Sequence, residues 1–364
     1  MKKKITGTVA ALLAAVLLLP CKAQALSAQK AILMDAQTGR TLYEKSADSR
    51  SLIASTTKIM TALIVCEQCN VLDRMRIPKE AVGIEGSSMY LKEGEVLTVQ
   101  ELLYGLMLHS GNDAAVALAI YCGGTVEGFA GLMNDKAYRL GLTGTHFENP
   151  NGLDSPGHYS TARDLAVLTA YAMRNPIFRQ TVSTKTVRIG ERTLTNHNKL
   201  LWRVDGADGV KTGYTKAAGR ILVSSATRDG RRLVAVTIND GNDWADHKAL
   251  LEDGFSKYTL RTIITEGVCV GKREVAGGTM QQVSLIADGS FQFPLAAEEL
   301  PEIVISGPEF AFAPVVQGAD AGWAYVCLDG KAVGKVPLIY GETVEMKQPE
   351  KKKHFWEKWF GGGT

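Results

Sequence analysis

The sequence predicts an α+β domain that is followed by a small domain built only of β-strands. Strand-like and helix-like stretches alternate up to about residue 260. From Thr262 to Met346 the pattern changes to short β-like runs that are separated by Gly, Pro and Asp-Gly. The 364 residues suffice for two domains.

The predicted elements of the first domain can be placed in order along the chain. Its strands form an opening hairpin, Lys30–Asp35 and Arg40–Tyr43, and a later hairpin around Asp229-Gly230, formed by Gly219–Ala226 and Arg232–Ile238. Its helices run from Ser55 to about Val65, from Leu102 to Ile120 with a break at His109–Asn112, from Thr161 to Met173 with a stop at Asn175-Pro176, and from about Trp244 to Tyr258.

The first 25 residues are unlike the rest of the chain. Three lysines, Lys2 to Lys4, precede an uncharged apolar run from Val9 to Leu19, and Ala23-Gln24-Ala25 forms a small-x-small cleavage pattern. The apolar run is shorter than the ~20 residues that span a bilayer. A cleaved signal peptide over residues 1–25 is therefore favoured over an N-terminal membrane anchor.

Without this leader the chain is almost neutral. The sequence has 41 Lys and Arg and 38 Asp and Glu, and the leader contains four lysines and no acidic residue. The remaining 37 basic and 38 acidic side chains give a net charge of −1. This balance gives no indication of a basic surface for nucleic acid, so nucleic acid is not expected as a partner.

The cysteines and histidines do not form a recognisable metal site. Cys21 lies in the leader, and an odd set of five remains: Cys66, Cys69, Cys122, Cys269 and Cys327. Cys66 and Cys69 have the spacing of metal ligands, but no second Cys pair or His pair lies nearby. The six histidines include no His-x-x-x-His pair. We expect the five cysteines to be structural thiols, and His158 and His247 to have structural, hydrogen-bonded roles. Neither a metal nor another cofactor is expected.

The segment Ser55-Thr56-Thr57-Lys58 carries the first candidate chemistry. A serine three residues before a lysine, at a helix start, puts both side chains on one face beside free N–H donors. A neutral lysine can then accept the serine proton, so the pair can act without histidine. Alone, the segment is better explained as a helix N-cap with a solvated lysine. Ser27-Ala28-Gln29-Lys30 has the same spacing but runs into a predicted strand.

Two further segments change that interpretation. Ser110-Gly111-Asn112 offers a hydroxyl and an amide in a turn between helical stretches. Lys211-Thr212-Gly213, followed by Tyr214-Thr215, is interpreted as an edge strand with a cation, a hydroxyl and an open backbone, where a side chain at Gly213 would block a peptide laid along the strand. Three such segments in this order are described for class A β-lactamases and penicillin-binding proteins.

With these motifs the chain resembles the D-alanyl-D-alanine carboxypeptidases of the low-molecular-weight penicillin-binding group, serine peptidase family S11. The resemblance covers nearly the whole chain and extends to other segments: Ser88–Glu95, Asn149–Asp154, Gly157–Thr161 and Asp246-His247-Lys248. It implies a β-lactamase/transpeptidase-like catalytic domain, an antiparallel sheet flanked by helices, over residues 26–260. An all-β domain over 261–347 and a tail over 348–364 follow.

The resemblance also implies a role for each candidate residue. Ser55 attacks the carbonyl of the penultimate D-Ala of a peptidoglycan stem peptide, forms an acyl-enzyme and releases the terminal D-Ala. Lys58 is the general base, and burial together with the charge of Lys211 lowers its pKa. Ser110 relays a proton to the leaving amine, and Asn112 orients Lys58 and the substrate amide. β-Lactam antibiotics are then acylating inhibitors.

Substrate binding is implied for the Lys-Thr-Gly strand. Lys211, Thr212 and Thr215 hold the terminal carboxylate, and Gly213 keeps the strand open. The backbone N–H groups of Ser55 and Tyr214 form the oxyanion hole.

The C-terminal tail has a composition of its own. Lysines at 351–353 precede four aromatic side chains that share one side at helical spacing, namely Phe355, Trp356, Trp359 and Phe360. A short basic amphipathic helix in a membrane interface has this arrangement. The alternative is a frayed terminus whose aromatic side chains dock on their own domain. The first interpretation predicts an exported protein held peripherally at the outer face of the cytoplasmic membrane.

Several alternatives use the same residues. A β-lactamase needs a deacylating Glu-x-x-Leu-Asn segment, and none lies between Ser110 and Lys211; Gly111 also stands where β-lactamases usually carry Asp. A Ser-His-Asp hydrolase with a Gly-x-Ser-x-Gly elbow is not indicated. A D,D-endopeptidase acting on cross-links and a penicilloyl-binding wall protein without activity stay open.

Overall fold

The computed structural model describes residues 26–348, and the chain divides into two compact units after Leu251. The predicted signal peptide and all but the first residue of the predicted tail lie outside the described residues. Within residues 26–348, an α+β unit precedes a unit of β-strands, which confirms the predicted fold class.

The first unit is organised around one antiparallel sheet of five strands. Its order is β2-β1-β9-β8-β7, so β7 lies at an edge. Two small antiparallel pairs, β3 with β4 and β5 with β6, accompany it. The nine strands are β1 Lys30–Asp35, β2 Thr41–Lys45, β3 Arg74–Arg76, β4 Val96–Thr98, β5 Thr186–Ile189, β6 Arg192–Thr195, β7 Ala207–Thr215, β8 Gly219–Arg228 and β9 Arg231–Ile238.

Seven helices complete the α+β part of the described chain. They are α1 Lys58–Gln68, α2 Val99–Leu108, α3 Asn112–Gly123, α4 Val126–Arg139, α5 Ala162–Ala172, α6 Pro176–Ser183 and α7 Asp243–Lys257. Helix α1 packs against each of α2 to α6, and its residues 58–66 are all buried. The sequence predicted one apolar side for this helix, whereas in the structure the helix is buried on all sides over residues 58–66.

Local sequence explains where the helices begin and end. Thr98 and Glu101 form a capping box that starts α2, with the Glu101 amide donating to the Thr98 hydroxyl at 3.2 Å. Thr161 caps α5 in the same way, through its hydroxyl. The break predicted at His109–Asn112 separates α2 from α3, because Ser110 adopts a left-handed backbone with φ of 63°.

Two helices were not predicted from the sequence. Asn175-Pro176 was interpreted only as a stop, whereas the Asn175 side chain caps α6 and Pro176 is its first residue. Helix α4 contains Gly128 and Gly131, which weaken a helical pattern, although Thr125 caps it. Caps and a tolerated proline thus create helices where residue composition alone indicates a break.

The second unit, counted from residue 252, contains eight strands after the end of α7. They are β10 Thr259–Ile264, β11 Cys269–Ala276, β12 Gln282–Ala287, β13 Phe291–Leu295, β14 Glu302–Ser306, β15 Phe310–Phe312, β16 Asp320–Leu328 and β17 Lys331–Tyr340. Strands β10 and β13 pair, and the other six form a sheet in the order β14-β16-β17-β12-β11-β15. Only the β11–β15 pair of this sheet is parallel.

No single helix within residues 26–348 is both long and apolar enough to cross a membrane. Among the described helices, α3 and α4 reach the required length and apolar composition only when they are taken together, and they are bent by 82° with respect to each other.

Candidate active site

Ser55 lies on a short 3₁₀ turn, Ala54–Thr57, that leads directly into α1. The sequence placed this serine in the helix itself; the structure puts it one turn earlier, with Lys58 as the first helical residue. Ala54 has a φ of 44°, a left-handed backbone that costs a non-glycine residue about 1 kcal/mol or more. Strain is therefore stored directly beside the half-buried hydroxyl of Ser55.

Lys58 is fully buried at the centre of the site. Its amine contacts the Ser55 Oγ at 3.0 Å, the Asn112 side-chain Oδ1 at 2.7 Å and the Asn151 backbone oxygen at 2.5 Å. The last two oxygens can only accept hydrogen bonds. A neutral amine has two N–H groups and one lone pair, so both donors are used and the lone pair faces Ser55.

Two buried lysines determine the charge of the site. Burial, and then the positive charge of Lys211, hold the pKa of Lys58 well below the usual lysine value, while Asp113 acts in the opposite direction. Burial lowers the pKa of Lys211 to about 7. The Lys211 amine donates to the Thr212 backbone oxygen at 2.7 Å. Burial therefore favours the neutral form of both lysines, as a lysine base requires.

The start of α3 fixes Asn112 in place. Its side-chain Nδ2 donates to the Glu85 backbone oxygen at 2.5 Å, and its backbone amide donates to the Ser87 oxygen at 2.7 Å. A Cβ on Gly86 would lie 2.7 Å from that Nδ2, so glycine permits this approach. With its amide nitrogen held, Asn112 can present only its oxygen to Lys58.

Strand β7 passes directly beside the nucleophile turn. A Cβ on Gly213 would lie 3.3 Å from the Ser55 backbone nitrogen, the Ile53 backbone oxygen and the Thr56 Cγ2. From the sequence alone, this glycine is expected to leave space for a bound substrate. The structure gives it a different reason, since the missing side chain would point at the turn that carries Ser55.

An open cleft of about 680 Å³ lies along β7. Four predicted residues besides Ser55 line it, namely Ser110, Thr212, Gly213 and Tyr214. Lys58, Asn112 and Lys211 lie buried behind its wall. Thr215 is not among the lining residues: its hydroxyl donates to Asp154 Oδ1 at 3.1 Å and accepts from the Ala218 amide at 3.0 Å. The Thr215 hydroxyl therefore has no free hydrogen for the predicted contact with a substrate carboxylate.

Residues that sequence reasoning did not assign to the site complete it. The Asn151 carbonyl contacts Lys58, and a Cβ on Gly152, which has a φ of 87°, would lie 1.9 Å from the Ala54 oxygen. The segment 149–154 was noticed only for its resemblance, since a backbone carbonyl leaves no side-chain signature. At the other end of the cleft are Arg220, Asp243 and Trp244.

Arg220 is an exposed charged residue that lines this cleft. Its Nε and Nη2 donate to both carboxylate oxygens of Asp243, at 3.1, 2.7 and 2.8 Å. Its side chain is still 46% exposed, whereas that of Asp243 is only 4% exposed. Arg220 also sits 6.0 Å from the centre of the Trp244 ring.

The buried histidines are structural in their contacts. His158 Nδ1 accepts from the Glu148 amide, so its Nε2 donates to Thr57 Oγ1 at 2.7 Å, and burial lowers its pKa to about 4. His247 contacts Ser224 Oγ at 2.6 Å and Thr237 Oγ1 at 2.9 Å. Through its hydrogen bond to Thr57, His158 anchors the nucleophile turn.

The second serine–lysine segment has none of this geometry. Ser27 precedes β1, and its hydroxyl donates to Asp240 Oδ1 at 2.5 Å. Lys30 lies on β1 and donates to the Arg50 oxygen at 2.9 Å. Among residues 26–348, no group of three or more His, Cys, Asp or Glu side chains is arranged to hold a metal ion.

Comparison with known proteins identifies the family. The family model described as D-alanyl-D-alanine carboxypeptidase, a peptidase of family S11, matches residues 20–242. The chain belongs to this family. The penicillin-binding protein 5 C-terminal domain matches residues 258–346. The chain is 32% identical over 334 residues to the D-alanyl-D-alanine carboxypeptidase DacF of Bacillus subtilis, which covers 87% of this chain and 86% of that protein.

Further members of the carboxypeptidase family agree in sequence and in fold. DacC of Escherichia coli is 34% identical over 344 residues, covering 89% of this chain and 86% of that protein. Penicillin-binding protein 5 of Haemophilus influenzae superposes with a TM-score of 0.75 at 30% identity, over 88% of this chain and 98% of that one. The D,D-transpeptidase of Streptomyces K15 has a TM-score of 0.61 at 37% identity, over 64% and 98%. The family is one of serine-type carboxypeptidases.

Proposed function

We propose that this protein removes the terminal D-Ala from peptidoglycan stem pentapeptides through an acyl-enzyme on Ser55. One observation carries the proposal: the amine of the buried Lys58 contacts Ser55 Oγ at 3.0 Å while two carbonyl-type oxygens occupy its N–H groups. Membership of the carboxypeptidase family agrees with it.

The proposed reaction begins with proton transfer from Ser55 to Lys58. The oxygen of Ser55 then attacks the carbonyl of the penultimate D-Ala, and the oxyanion is held by the backbone N–H groups of Ser55 and Tyr214. Lys58 returns its proton towards the leaving amine, with Ser110 as the relay in the cleft wall. Water enters as the second acyl acceptor, with Lys58 again as the base.

The terminal carboxylate needs a partner that is charged and accessible. Lys211 is only 1% exposed and its pKa is about 7, so it is a poor fixed cation for a carboxylate in the cleft. We assign this role to Arg220 together with the Thr212 hydroxyl, both of which line the cleft. Burial chiefly lowers the pKa of Lys58, and Lys211 adds to this effect when its own amine is protonated. The hydrogen bonds from Arg220 to Asp243 fix the plane of the guanidinium group.

A labelled β-lactam and a synthetic pentapeptide test this function together. We expect covalent labelling of the wild type by fluorescent penicillin, release of D-Ala from a peptide ending in D-Ala-D-Ala, and loss of both in Ser55→Ala. Ser27→Ala is the matched control, because Ser27 has the same spacing to a lysine but lies outside the cleft. Undiminished labelling of Ser55→Ala would refute the proposal.

The same assay separates the alternatives that the sequence leaves open. Release of D-Ala from the pentapeptide, without cleavage of a cross-linked dimeric peptide, supports a carboxypeptidase. Preferential cleavage of the dimer would instead identify a D,D-endopeptidase. Labelling by penicillin without hydrolysis of either peptide would identify a penicilloyl-binding wall protein, and steady turnover of penicillin would identify a β-lactamase.

We also propose that the protein acts outside the cytoplasm, as its substrate requires. In this proposal residues 1–25 are a cleaved signal peptide, 26–260 form the catalytic domain, 261–347 form the all-β domain, and 348–364 bind the membrane surface. Truncation after Met346 is expected to release the protein from membranes into the soluble fraction. Membrane association that survives this truncation would contradict the role of the tail.

A further inference from the structure

Three cysteine side chains lie at the C-terminal ends of α1 and α3. Cys66 belongs to the last turn of α1, and Cys69 follows the helix directly. Cys122 is the second-last residue of α3. Helices α1 and α3 pack against each other, and their C-terminal ends meet where Cys122 contacts Gln68, the last residue of α1.

Side-chain contacts join these two helix ends. The Cys122 thiol donates to the Oε1 of Gln68, the residue next to Cys69, at 3.6 Å. The free thiols of Cys69 and Cys122 interact, since each is the strongest influence on the pKa of the other. The neighbouring Tyr121 hydroxyl donates to the Asp73 Oδ2 at 3.0 Å, across the same gap. Cys69 and Cys122 are therefore direct neighbours in space although 52 residues separate them in sequence.

The opposite ends of the same two helices carry the candidate active site. Lys58 begins α1, Asn112 begins α3, and their side chains are joined at 2.7 Å. The relative position of α1 and α3 thus sets the distance between the base and the residue that orients it. A link at the cysteine end would fix the helix pair from the other side.

We propose that Cys69 and Cys122 form a disulfide in the exported protein, which covalently joins the ends of α1 and α3. Each thiol loses one proton, the two sulfurs form one bond, and two electrons pass to a disulfide-donating oxidant. That oxidant, a thiol oxidase or a small-molecule disulfide, is itself reduced to two thiols. The proposal rests on the proposed export only for the oxidising surroundings.

The surroundings of the three sulfurs select this pair. The interaction with Cys69 lowers the pKa of Cys122, and the same interaction raises the pKa of Cys69, so loss of a proton is favoured at Cys122. Burial raises the pKa of Cys66 to about 12, so Cys66 stays a thiol. The odd set of five cysteines after the leader then resolves into one bond and three thiols.

The test uses purified protein equilibrated with either reduced or oxidised glutathione. After denaturation and alkylation, mass spectrometry reads the free-thiol fraction of each cysteine peptide. We expect the peptides of Cys69 and Cys122 to lose alkylation together in oxidised glutathione and to appear as one linked pair. Cys66→Ser is the matched control and keeps the pair, whereas Cys122→Ser leaves Cys69 fully alkylated.

A thermal melt gives the second readout. A cross-link over this long a loop should raise the Tm of the first unit by about 5–10 °C in oxidised relative to reduced glutathione. Cys122→Ser should show no such difference. Alkylation of Cys69 and Cys122 to the extent of Cys66 under oxidising conditions, a Cys66–Cys69 link, or a redox-independent Tm would each overturn the proposal. Because the oxidant is added, these outcomes do not depend on export or on peptidase activity.

Discussion

Gly213→Ala tests how closely strand β7 must approach the nucleophile. The added Cβ would lie 3.3 Å from the Ser55 nitrogen, the Ile53 oxygen and the Thr56 Cγ2. Optimal carbon contacts lie at about 3.5–4.0 Å, and two of these three neighbours are backbone atoms that cannot rotate away. The strand and the turn must therefore separate by a few tenths of an ångström.

This separation acts on both proposed oxyanion donors, the backbone N–H groups of Ser55 and Tyr214. Complete loss of one such donor costs roughly 100–1000-fold in rate. Partial displacement should therefore slow acylation by about 10–100-fold. Overpacking of this kind costs about 1–3 kcal/mol of unfolding free energy, so the variant is expected to fold.

Stopped-flow acylation by a fluorescent penicillin, combined with a thermal melt, measures both effects. Gly131→Ala is the matched control, because a Cβ there meets nothing within 4 Å and the residue lies in α4. The control should acylate at the wild-type rate. If Gly213→Ala also acylates at the wild-type rate, then close packing of β7 on the turn does not position the donors, and this reasoning is wrong.

The remaining predictions concern charge. Lys58→Met should slow acylation by about 100–10,000-fold in the same stopped-flow assay, and a wild-type rate would exclude Lys58 as the base. The wild-type acylation rate should rise with pH through a pKa well below 10.5, because only the neutral amine accepts the proton. Arg220→Gln should raise the KM for peptides with a free terminal carboxylate about tenfold or more in the D-Ala release assay, and should leave unchanged the KM for peptides with an amidated terminus, measured as release of D-alaninamide. The folded-state pKa values of His158 and His247, about 4 and about 3, lie below the unfolded value of 6.5, so protons favour the unfolded chain. The unfolding free energy from urea titrations should therefore fall as pH drops from 6.5 towards 4, by up to about 1.4 kcal/mol per pH unit for each imidazole; a pH-independent value would contradict this.

Much of the fold can be predicted from the spacing of apolar side chains, which is two residues in strands and three to four residues in helices. The hairpin around Asp229-Gly230 and the break at Ser110 were predicted because Gly, Asp and a turn segment interrupt otherwise regular apolar periodicity. Helix α6 was missed because Pro176 stops a helix from within but starts one from its first position.

The candidate site was predicted only as far as side chains reveal it. Ser55, Lys58 and Asn112 come from segments with distinct side-chain chemistry, and the structure brings these three into direct contact. The Asn151 carbonyl could not be predicted, since every residue carries that group and only tertiary packing selects one. Arg220 was read as an ordinary strand residue, because its partner Asp243 lies 23 positions away on α7.

The position of β7 has a consequence for which peptides can be processed. Within residues 26–348 no further strand pairs with the outer side of β7, so a chain laid beside Gly213 can extend the sheet as a sixth, temporary strand. Recognition of this kind reads the main chain and leaves the identity of most side groups unread. We therefore expect stem peptides that vary upstream of the cleaved bond to be trimmed at similar speeds, with their free ends, more than their composition, deciding which are accepted.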